Sequence, residues 1–352
     1  MSKKLKLKKP KVGFLITGRL KSTRLPKKLL LEIKGKPILT HMIDRIKMSK
    51  SIDEIVICTS SEEQDLPLLE LSNKNHVKCY RGDPDDVLKR LLDAADHYNL
   101  DYILNITADC PFVDPVYADL IYENFLETNA DLIRQLDLPH GAFSYGIKVS
   151  ALREVNNLKN SSDTEVWGRY FTDTGKFKVI DLDVANSFHK RPGLRMTLDY
   201  PEDFEFFKRV FNELYDGKVF TLDQILKLLD DNPEIKAINE DCGKEFKKRF
   251  TSQMDISLKK NEKVENALVI GSGSIGQRHI KNLKALGIEN IVSLRTKNGY
   301  TKELPESLGV EEVFSLSDAI SRKPDIAIVS NPTSMHLETA NQVLPYIKGV
   351  FI

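Results

Sequence analysis

Five cations fall within ten residues of the stretch LITGRLKSTRLPKKLL, residues 15–30: Arg19, Lys21, Arg24, Lys27 and Lys28. Ser22 and Thr23 stand between them. Guanidinium groups grip phosphate oxygens in pairs, and an ammonium acts as a point charge. Polyphosphate binding is therefore the chemistry these residues could do. The stretch is not a Walker loop, because it lacks G-x-x-x-x-G-K-[ST] and Gly18 is its only glycine. Any grip on phosphate must rest on side-chain cations more than on backbone amides. A solvated basic loop is the competing reading of the same charges. The position after an apolar strand favours binding, because ligands of open α/β sheets sit outside the carboxyl ends of strands.

Chemistry on a bound polyphosphate also calls for a metal cation to neutralise the phosphate charge. Magnesium takes one or two carboxylates and completes its shell with substrate oxygens and water. Two aspartates end apolar strand-like runs: Asp109 closes YILNITAD and Asp199 closes LRMTLD. In a parallel sheet both can reach one edge, beside the basic loop. Each also precedes an X-Pro pair, so a plain turn role is open to both.

A second chemistry lies further on. Residues 271–276, GSGSIG, read G-x-G-x-x-G between a strand ending at Ile270 and a helix beginning near Ile275. Such glycines permit a tight turn and close approach of backbone to a dinucleotide pyrophosphate at a helix N-terminus. The expected cofactor contacts are Gly271, Gly273, Ser274, Ile275 and Gly276. The acidic residue expected about twenty positions onward is missing. Arg295 ends NIVSLR instead, which suits a 2′-phosphate and favours NADP slightly over NAD.

The elements that must position these groups alternate. KVGFLITG, DEIVICTS, VKCYRG and DYILNITAD read as strands. KPILTHMIDRIK, PDDVLKRLLDAADHYNL and DPVYADLIYENFLETN read as helices, with Pro84 opening the second and Asp114 capping the third. FSYGIKV, KFKVIDLDV and LRMTLD read as further strands. YPEDFEFFKRVFNELY and FTLDQILKLLDD, the latter capped by Thr221, read as closing helices. This rhythm argues a largely parallel sheet with helices on both faces. The expected organisation is a lysine-dense disordered tail over 1–11, a first domain over 12–250, a polar linker over 251–263 and a Rossmann unit over 264–352.

Bulk composition removes some functions. Formal net charge is +1, which gives no reason to expect nucleic acid or a membrane surface as partner. No run approaches the roughly twenty apolar residues of a membrane span, so a cytoplasmic protein is the expectation. Four scattered cysteines suit neither a zinc site nor a disulfide framework.

On these motifs the first domain resembles the cytidylyltransferase family that includes the acylneuraminate and 3-deoxy-manno-octulosonate enzymes. It is most similar to the spore-coat polysaccharide branch. That branch opens with I-x-A-R-x-G-S-T-R-L-P-G-K-x-L, and this chain reads I-T-G-R-L-K-S-T-R-L-P-K-K-L-L. YRGDPDDVLKR, NITADCPFVDP and LRMTLDYPEDFE look like later motifs of the family. The resemblance implies a nucleotide-diphospho-sugar-transferase-like, doubly wound mixed sheet. It implies Arg19, Arg24 and Lys28 on the triphosphate, Asp109 and Asp199 on Mg2+, and Arg81 near the nucleotide. It implies Glu165 and Arg169, in TEVWGRYF, near the acceptor. CTP and a sugar-like acceptor would be the partners, and relatives often form a homodimer. The departures are Gly18 for alanine, Lys21 for glycine and Lys27 for the glycine of P-G-K.

The second unit resembles the N-terminal Rossmann part of the glucose–fructose oxidoreductase and inositol dehydrogenase family, through VIGSGSIGQRHIKNLKALG and VSNPTSMHLETA. That family's catalytic lysine and substrate domain lie past Ile352, so the expectation is a truncated NAD(P)-binding unit without dehydrogenase activity of its own. Two rival readings follow. One is a sugar oxidoreductase whose catalytic part is missing from this chain. The other is a non-catalytic nucleotide-binding scaffold.

Overall fold

Val12–Thr17 (β1) is buried at every residue, as a strand covered on both faces must be. In the computed structural model it is an interior strand of a seven-stranded mixed sheet. The structure describes residues 9–243, 264–295, 304 and 306–352. The expected linker at 251–263 and most of the basic tail lie outside the described residues. The chain divides into two compact units, residues 1–259 and 260–352.

In the first unit, β2 (Glu54–Ser60), β3 (Lys78–Gly82) and β4 (Tyr102–Thr107) join β1. The order β3-β2-β1-β4 is parallel throughout. Beyond β4 the sheet turns mixed. β6 (Tyr145–Lys148) runs antiparallel to β4, β5 (Leu132–Arg134) runs antiparallel to β6, and β7 (Val179–Asp181) pairs parallel with β5. The first half carries loops after β1, β2, β3 and β4 on a single edge, where the basic loop and Asp109 emerge.

Helices α1 (Ile38–Ile46), α2 (Leu66–Lys74), α3 (Val87–His97), α4 (Pro115–Thr128) and α5 (Val149–Leu158) cover the faces. One core holds Phe14 and Ile16 against Leu39, Met42, Ile43 and Ile121. The other holds Leu15 and Ile103 against Leu88, Leu91, Leu152 and Trp167. Alternate residues of β1 thus enter opposite cores, as the two-residue strand period demands. The single tryptophan is core. A third core gathers Phe112, Phe206, Phe207, Phe211 and Phe220 beneath α6 (Pro201–Leu214) and α7 (Leu222–Asp231).

Two local readings need correction. Pro84 does not open α3. The Asp83 carboxylate accepts the amides of Asp85 and Asp86, and Asp86 then caps the helix by accepting from Lys89 N. LRMTLD is extended but forms only an isolated bridge, Arg195 with His140. Its neighbours are loops, so no ladder continues: Met196 N donates to His140 O and Leu198 N to Asp109 O. Helices α2 and α5 do not stand out in the sequence. Their apolar stripes are short and interrupted by Glu70, Asn73, Glu154 and Asn156.

The second unit is a five-stranded, wholly parallel sheet in the order β10-β9-β8-β11-β12. Its strands are β8 (Asn266–Ile270), β9 (Asn290–Leu294), β10 (Glu311–Val313), β11 (Ile326–Val329) and β12 (Gly349–Phe351). Helix α8 (Ser274–Ala285) follows the glycine turn and ends before Gly287, whose φ of 84° is the left-handed conformation glycine adopts freely. No helix among the described residues is long and apolar enough to cross a membrane.

Candidate active site

The loop after β1 is held down at both ends. Gly18 N donates to Cys58 O at 3.2 Å. A Cβ there would stand 2.7 Å from the Ala108 Cβ, so the glycine lets the chain after β4 pass close. At the far end a 3-10 turn, Lys28–Leu30, returns the chain to the sheet and sinks Lys28. Lys27, just before it, has φ 52° and ψ 30°. That is left-handed backbone, strained for a lysine and free for a glycine. The family pattern has a glycine at this position, so the local geometry explains the family's choice and marks this chain as the strained version.

Lys28 is the hub. Its Nζ donates to Asp199 Oδ1 at 2.9 Å and to Asp109 Oδ2 at 3.3 Å. Asp109 sits in a tight turn: Cys110 N donates to Thr107 O, and the Thr107 hydroxyl donates to the Asp109 carboxylate. Asp199 is 3 % exposed and takes cations from three sides. Arg24 Nη2 lies at 3.4 Å from Oδ1 and Arg195 Nη2 at 2.8 Å from Oδ2. Arg195 also reaches Asp203 Oδ2 at 3.0 Å, and that oxygen accepts Asp199 N and Tyr200 N at the start of α6. Tyr200 offers its ring to Arg24, with 5.0 Å from Cζ to the centroid.

The electrostatics follow from this crowding. Burial pulls the Lys28 ammonium down, but Asp109 and Asp199 outweigh it and hold Lys28 above its ordinary value. Burial pushes the Asp199 carboxyl up, but Lys28 and Arg195 win and hold it below the usual carboxylate range. Burial, with Arg195 beside it, keeps His140 below its ordinary value and so neutral. Three cationic side chains, Arg24, Lys28 and Arg195, thus interlock with three carboxylates, Asp109, Asp199 and Asp203.

The remaining site residues fall elsewhere. Arg19 leans to the β3 side, donating to Pro84 O and pairing with Asp85 at 2.9 Å. Arg81 spends its donors on the carbonyls of Ser60, Ser61 and Glu62, so it clamps backbone at the end of β2. Glu165 is exposed, and Arg169 pairs with Asp173 at the surface. Arg195 is the participant that the motifs do not single out. Strand alternation would have found it: Leu194, Met196 and Leu198 enter the phenylalanine core, which turns Arg195, Thr197 and Asp199 to the other face.

The donor set fits a hard divalent cation. Asp109 and Asp199 already share one cation, the Lys28 ammonium. Among the described residues no three His, Cys, Asp or Glu side chains gather as a protein cage. Two carboxylates with open positions are what magnesium accepts when substrate oxygens complete its shell.

In the second unit, Gly271 has φ 90°, and a Cβ on it would meet Asn331 N at 2.7 Å. A Cβ on Gly276 would lie 1.9 Å from Gly271 O. Gly273 differs: nothing stands within 4 Å of its Cβ position. Ser274 begins α8 and Ile275 is exposed. Ser272 Oγ and Asn331 Oδ1 are buried with no hydrogen-bond partner. Arg295 is buried at the end of β9 and pairs with Glu312 Oε2 at 2.6 Å. An acid therefore does stand at this strand edge, supplied by β10 and not by β9.

Comparison with known proteins gives two family matches. The family described as Cytidylyltransferase matches residues 14–274. The family described as Oxidoreductase family, NAD-binding Rossmann fold matches residues 266–352. The chain is 26% identical over 228 residues to the spore coat polysaccharide biosynthesis protein SpsF of Bacillus subtilis, covering 63% of this chain and 95% of that one. It is 26% identical over 187 residues to the 3-deoxy-manno-octulosonate cytidylyltransferase of Erwinia tasmaniensis, covering 51% and 72%. A solved cytidylyltransferase from Leptospira borgpetersenii aligns with a TM-score of 0.60 at 29% identity, covering 64% of this chain and 96% of that one.

Proposed function

Because the chain belongs to the cytidylyltransferase family, we propose that it joins CMP from CTP to a sugar acid or related sugar-like acceptor, with Mg2+ and release of pyrophosphate. The enzyme is a nucleotidyltransferase, and its likeness to a spore coat polysaccharide biosynthesis protein and to 3-deoxy-manno-octulosonate cytidylyltransferases supports a role in the synthesis of polysaccharide precursors. A reaction drawing on CTP would run where nucleotides are held, and we propose the cytoplasm as its place.

The observation that carries this reading is the meeting of Lys28 with Asp109 and Asp199 at the sheet edge where the loop after β1 emerges. An acceptor oxygen attacks the α-phosphorus in line, the bond to the β-phosphate breaks, and pyrophosphate leaves. Arg19 and Arg24 border the loop and supply bidentate grips for the phosphate oxygens. Lys28, held protonated by its two acids, keeps its full charge for the leaving group. Asp109 and Asp199 would hold Mg2+, which when bound supplies Lewis-acid neutralisation of the phosphate charge. Asp199 is kept ionised, and so competent as a ligand, by Lys28 and Arg195. Arg81 supports the nucleotide end indirectly through the backbone it clamps. Glu165 and Arg169 are the surface groups we assign to the acceptor side.

The test is a screen of CTP, UTP, ATP and GTP against sugar acids and sugar phosphates with magnesium, read by pyrophosphate. CTP with one acceptor class should give pyrophosphate that Lys28→Met abolishes. Equal rates with all four nucleotides would reject the cytidylyl assignment.

A second reading concerns residues 264–352. The open side of Gly273, between two glycines that have no room, is a cradle for a pyrophosphate at the start of α8. Ser272 Oγ and Asn331 Oδ1 offer unused hydrogen-bonding atoms there. We assign this unit to NAD(P) binding. Quenching of NADPH and NADH fluorescence would measure the affinity and decide whether Arg295 selects the phosphorylated form.

A further inference from the structure

We propose that Asp65 is the positioning residue that fixes the backbone of the phosphate-binding loop. The inference rests on the nucleotidyl-transfer reading for its consequence, though not for its geometry.

Asp65 stands at the cap position of α2. An aspartate there ordinarily turns its carboxylate onto the first amides of its own helix. No such bond forms here. One oxygen accepts Leu20 N at 2.7 Å, and the other accepts the Ser60 hydroxyl. Asp65 is 0 % exposed. The carboxylate is therefore withdrawn from helix capping, buried, and spent on one amide of a loop 45 residues earlier.

That amide is well chosen. Leu20 follows Arg19 directly and is itself 7 % exposed. Gly18 is pinned to Cys58 and the next turn closes only at Lys27–Leu30. Between these points, among the described residues, Leu20 N is the one backbone group bonded to a distant element, since the Leu25 amide is held within the loop by Ser22 Oγ. The Ser60 contact ties the same carboxylate to the end of β2, so loop and sheet share one anchor.

Charge strengthens the case. Arg90 is buried beside the loop, donating to the carbonyls of Asp83 and Pro84, and Pro84 O also accepts from Arg19. Two guanidiniums on one carbonyl repel each other. Asp65 stands close enough to act on Arg90 against that repulsion. Its bonds to Leu20 N and to the Ser60 hydroxyl set the path of the loop.

The experiment uses the full chain with Asp65→Ala, Asp65→Asn and Ser60→Ala. Three quantities are read: hydrogen exchange of the peptide containing Leu20, affinity for inorganic pyrophosphate by calorimetry, and the KM and kcat for CTP. Asp65→Ala should speed exchange in residues 18–26 while β1 and β4 stay protected. It should weaken pyrophosphate and raise the KM for CTP by about 10- to 100-fold, with a smaller change in kcat. Asp65→Asn keeps an oxygen for Leu20 N and should recover most of the loss. Ser60→Ala should loosen the same segment more mildly, and it carries the test if Asp65→Ala does not fold. Unchanged loop exchange and pyrophosphate affinity would overturn the proposal. So would equal losses in Asp65→Asn accompanied by faster exchange throughout the first unit. If the parent protein ignores CTP but Asp65→Ala still frees the loop and weakens pyrophosphate, the positioning role stands and the CTP assignment falls.

Discussion

The two turns proposed to hold phosphate are built on opposite principles. The loop after β1 carries five cations and one glycine. The turn after β8 carries three glycines and no charge. In the first, the cations are occupied in advance: Lys28 by Asp109 and Asp199, Arg24 by Asp199, Arg19 by Asp85. In the second, nothing stands beside the Gly273 Cβ position. The difference matches the chemistry proposed for each. A nucleotidyltransferase must follow charge as it moves onto leaving pyrophosphate, and cations on side chains can exchange partners. A dinucleotide keeps its pyrophosphate intact, so fixed backbone amides suffice to hold it.

The largest expected effect breaks the first turn. Lys28→Met should lower kcat/KM for CTP by about a thousandfold or more, the scale of losing a preorganised charge at the reacting phosphate. It also leaves Asp109 and Asp199 facing each other without their shared cation. Lys28→Met combined with Asp199→Asn should therefore cost less stability than the two single changes summed, with a coupling of about 1–3 kcal/mol. Thermal melting of the four proteins measures it. Additivity would mean that the ion pair does not organise the site.

The glycine turn should break by shape. Gly276→Ala forces a Cβ to 1.9 Å from Gly271 O, where only backbone could yield. It should destabilise the second unit by about 3 kcal/mol and abolish dinucleotide binding. Gly273→Ala meets no protein atom, so the melting temperature should hold. Any loss of NADPH affinity, expected at about tenfold, would then report a ligand at that open face. An unchanged affinity in Gly273→Ala would remove that face of Gly273 from the cofactor site, and no measurable affinity in the parent protein would remove the cofactor assignment.

The two turns also differ in how much the sequence discloses. The glycine motif is legible because its cause is local: a tight turn and a close backbone need glycine whatever surrounds them. The charged loop is legible only in part. Its cations are plain, but their partners come from 81 and 171 residues away, and only the family likeness selects Asp109 and Asp199 among 51 acids. Arg195 and Asp65 escape a motif search for the same reason. Each is recognised by what it meets in space, and Asp65 is disguised as an ordinary helix cap. Arg295 shows the converse, since the acid missing from its own strand is supplied by Glu312 on the next. The parallel half of the sheet was readable from unbroken apolar runs such as Phe14–Ile16. The extended stretch at Arg195–Asp199 was not, because whether it pairs depends on loops the pattern cannot place.

Acidity should separate the two turns as well. Asp199 has a depressed folded pKa, so its contribution is present above its ordinary 3.8 and lost as pH falls through the folded value. Lys28 has a raised one, so its contribution is full below its ordinary 10.5 and lost as pH rises through the folded value. His41 and His140 are held below 6.5, so the unfolded chain takes protons that the folded chain refuses. Stability of the first unit should thus begin to fall below about pH 6.5, before Asp199 contributes, and then fall faster below about pH 4. Melting curves from about pH 2.5 to 9 read this directly. His140→Gln should flatten part of the first decline, and an unaltered slope would remove His140 from the account.

The smallest effect sharpens the comparison most finely, because it asks what Lys27 contributes beyond strain. The residue holds left-handed backbone at φ 52°, where a Cβ costs about 1 kcal/mol and glycine costs nothing. Glycine also has more freedom to lose on folding, so the net gain from Lys27→Gly should be about 0.5 kcal/mol. The same change subtracts one charge from the loop. If the loop works through its summed charge, Lys27→Gly should raise the KM for CTP by a few-fold, and the increase should shrink as salt rises to about 0.5 M and screens exposed charges. If only Arg19, Arg24 and Lys28 engage the triphosphate, the KM should hold while the melting temperature climbs by a degree or two. The strained lysine would then be a tolerated departure from glycine with no share in binding.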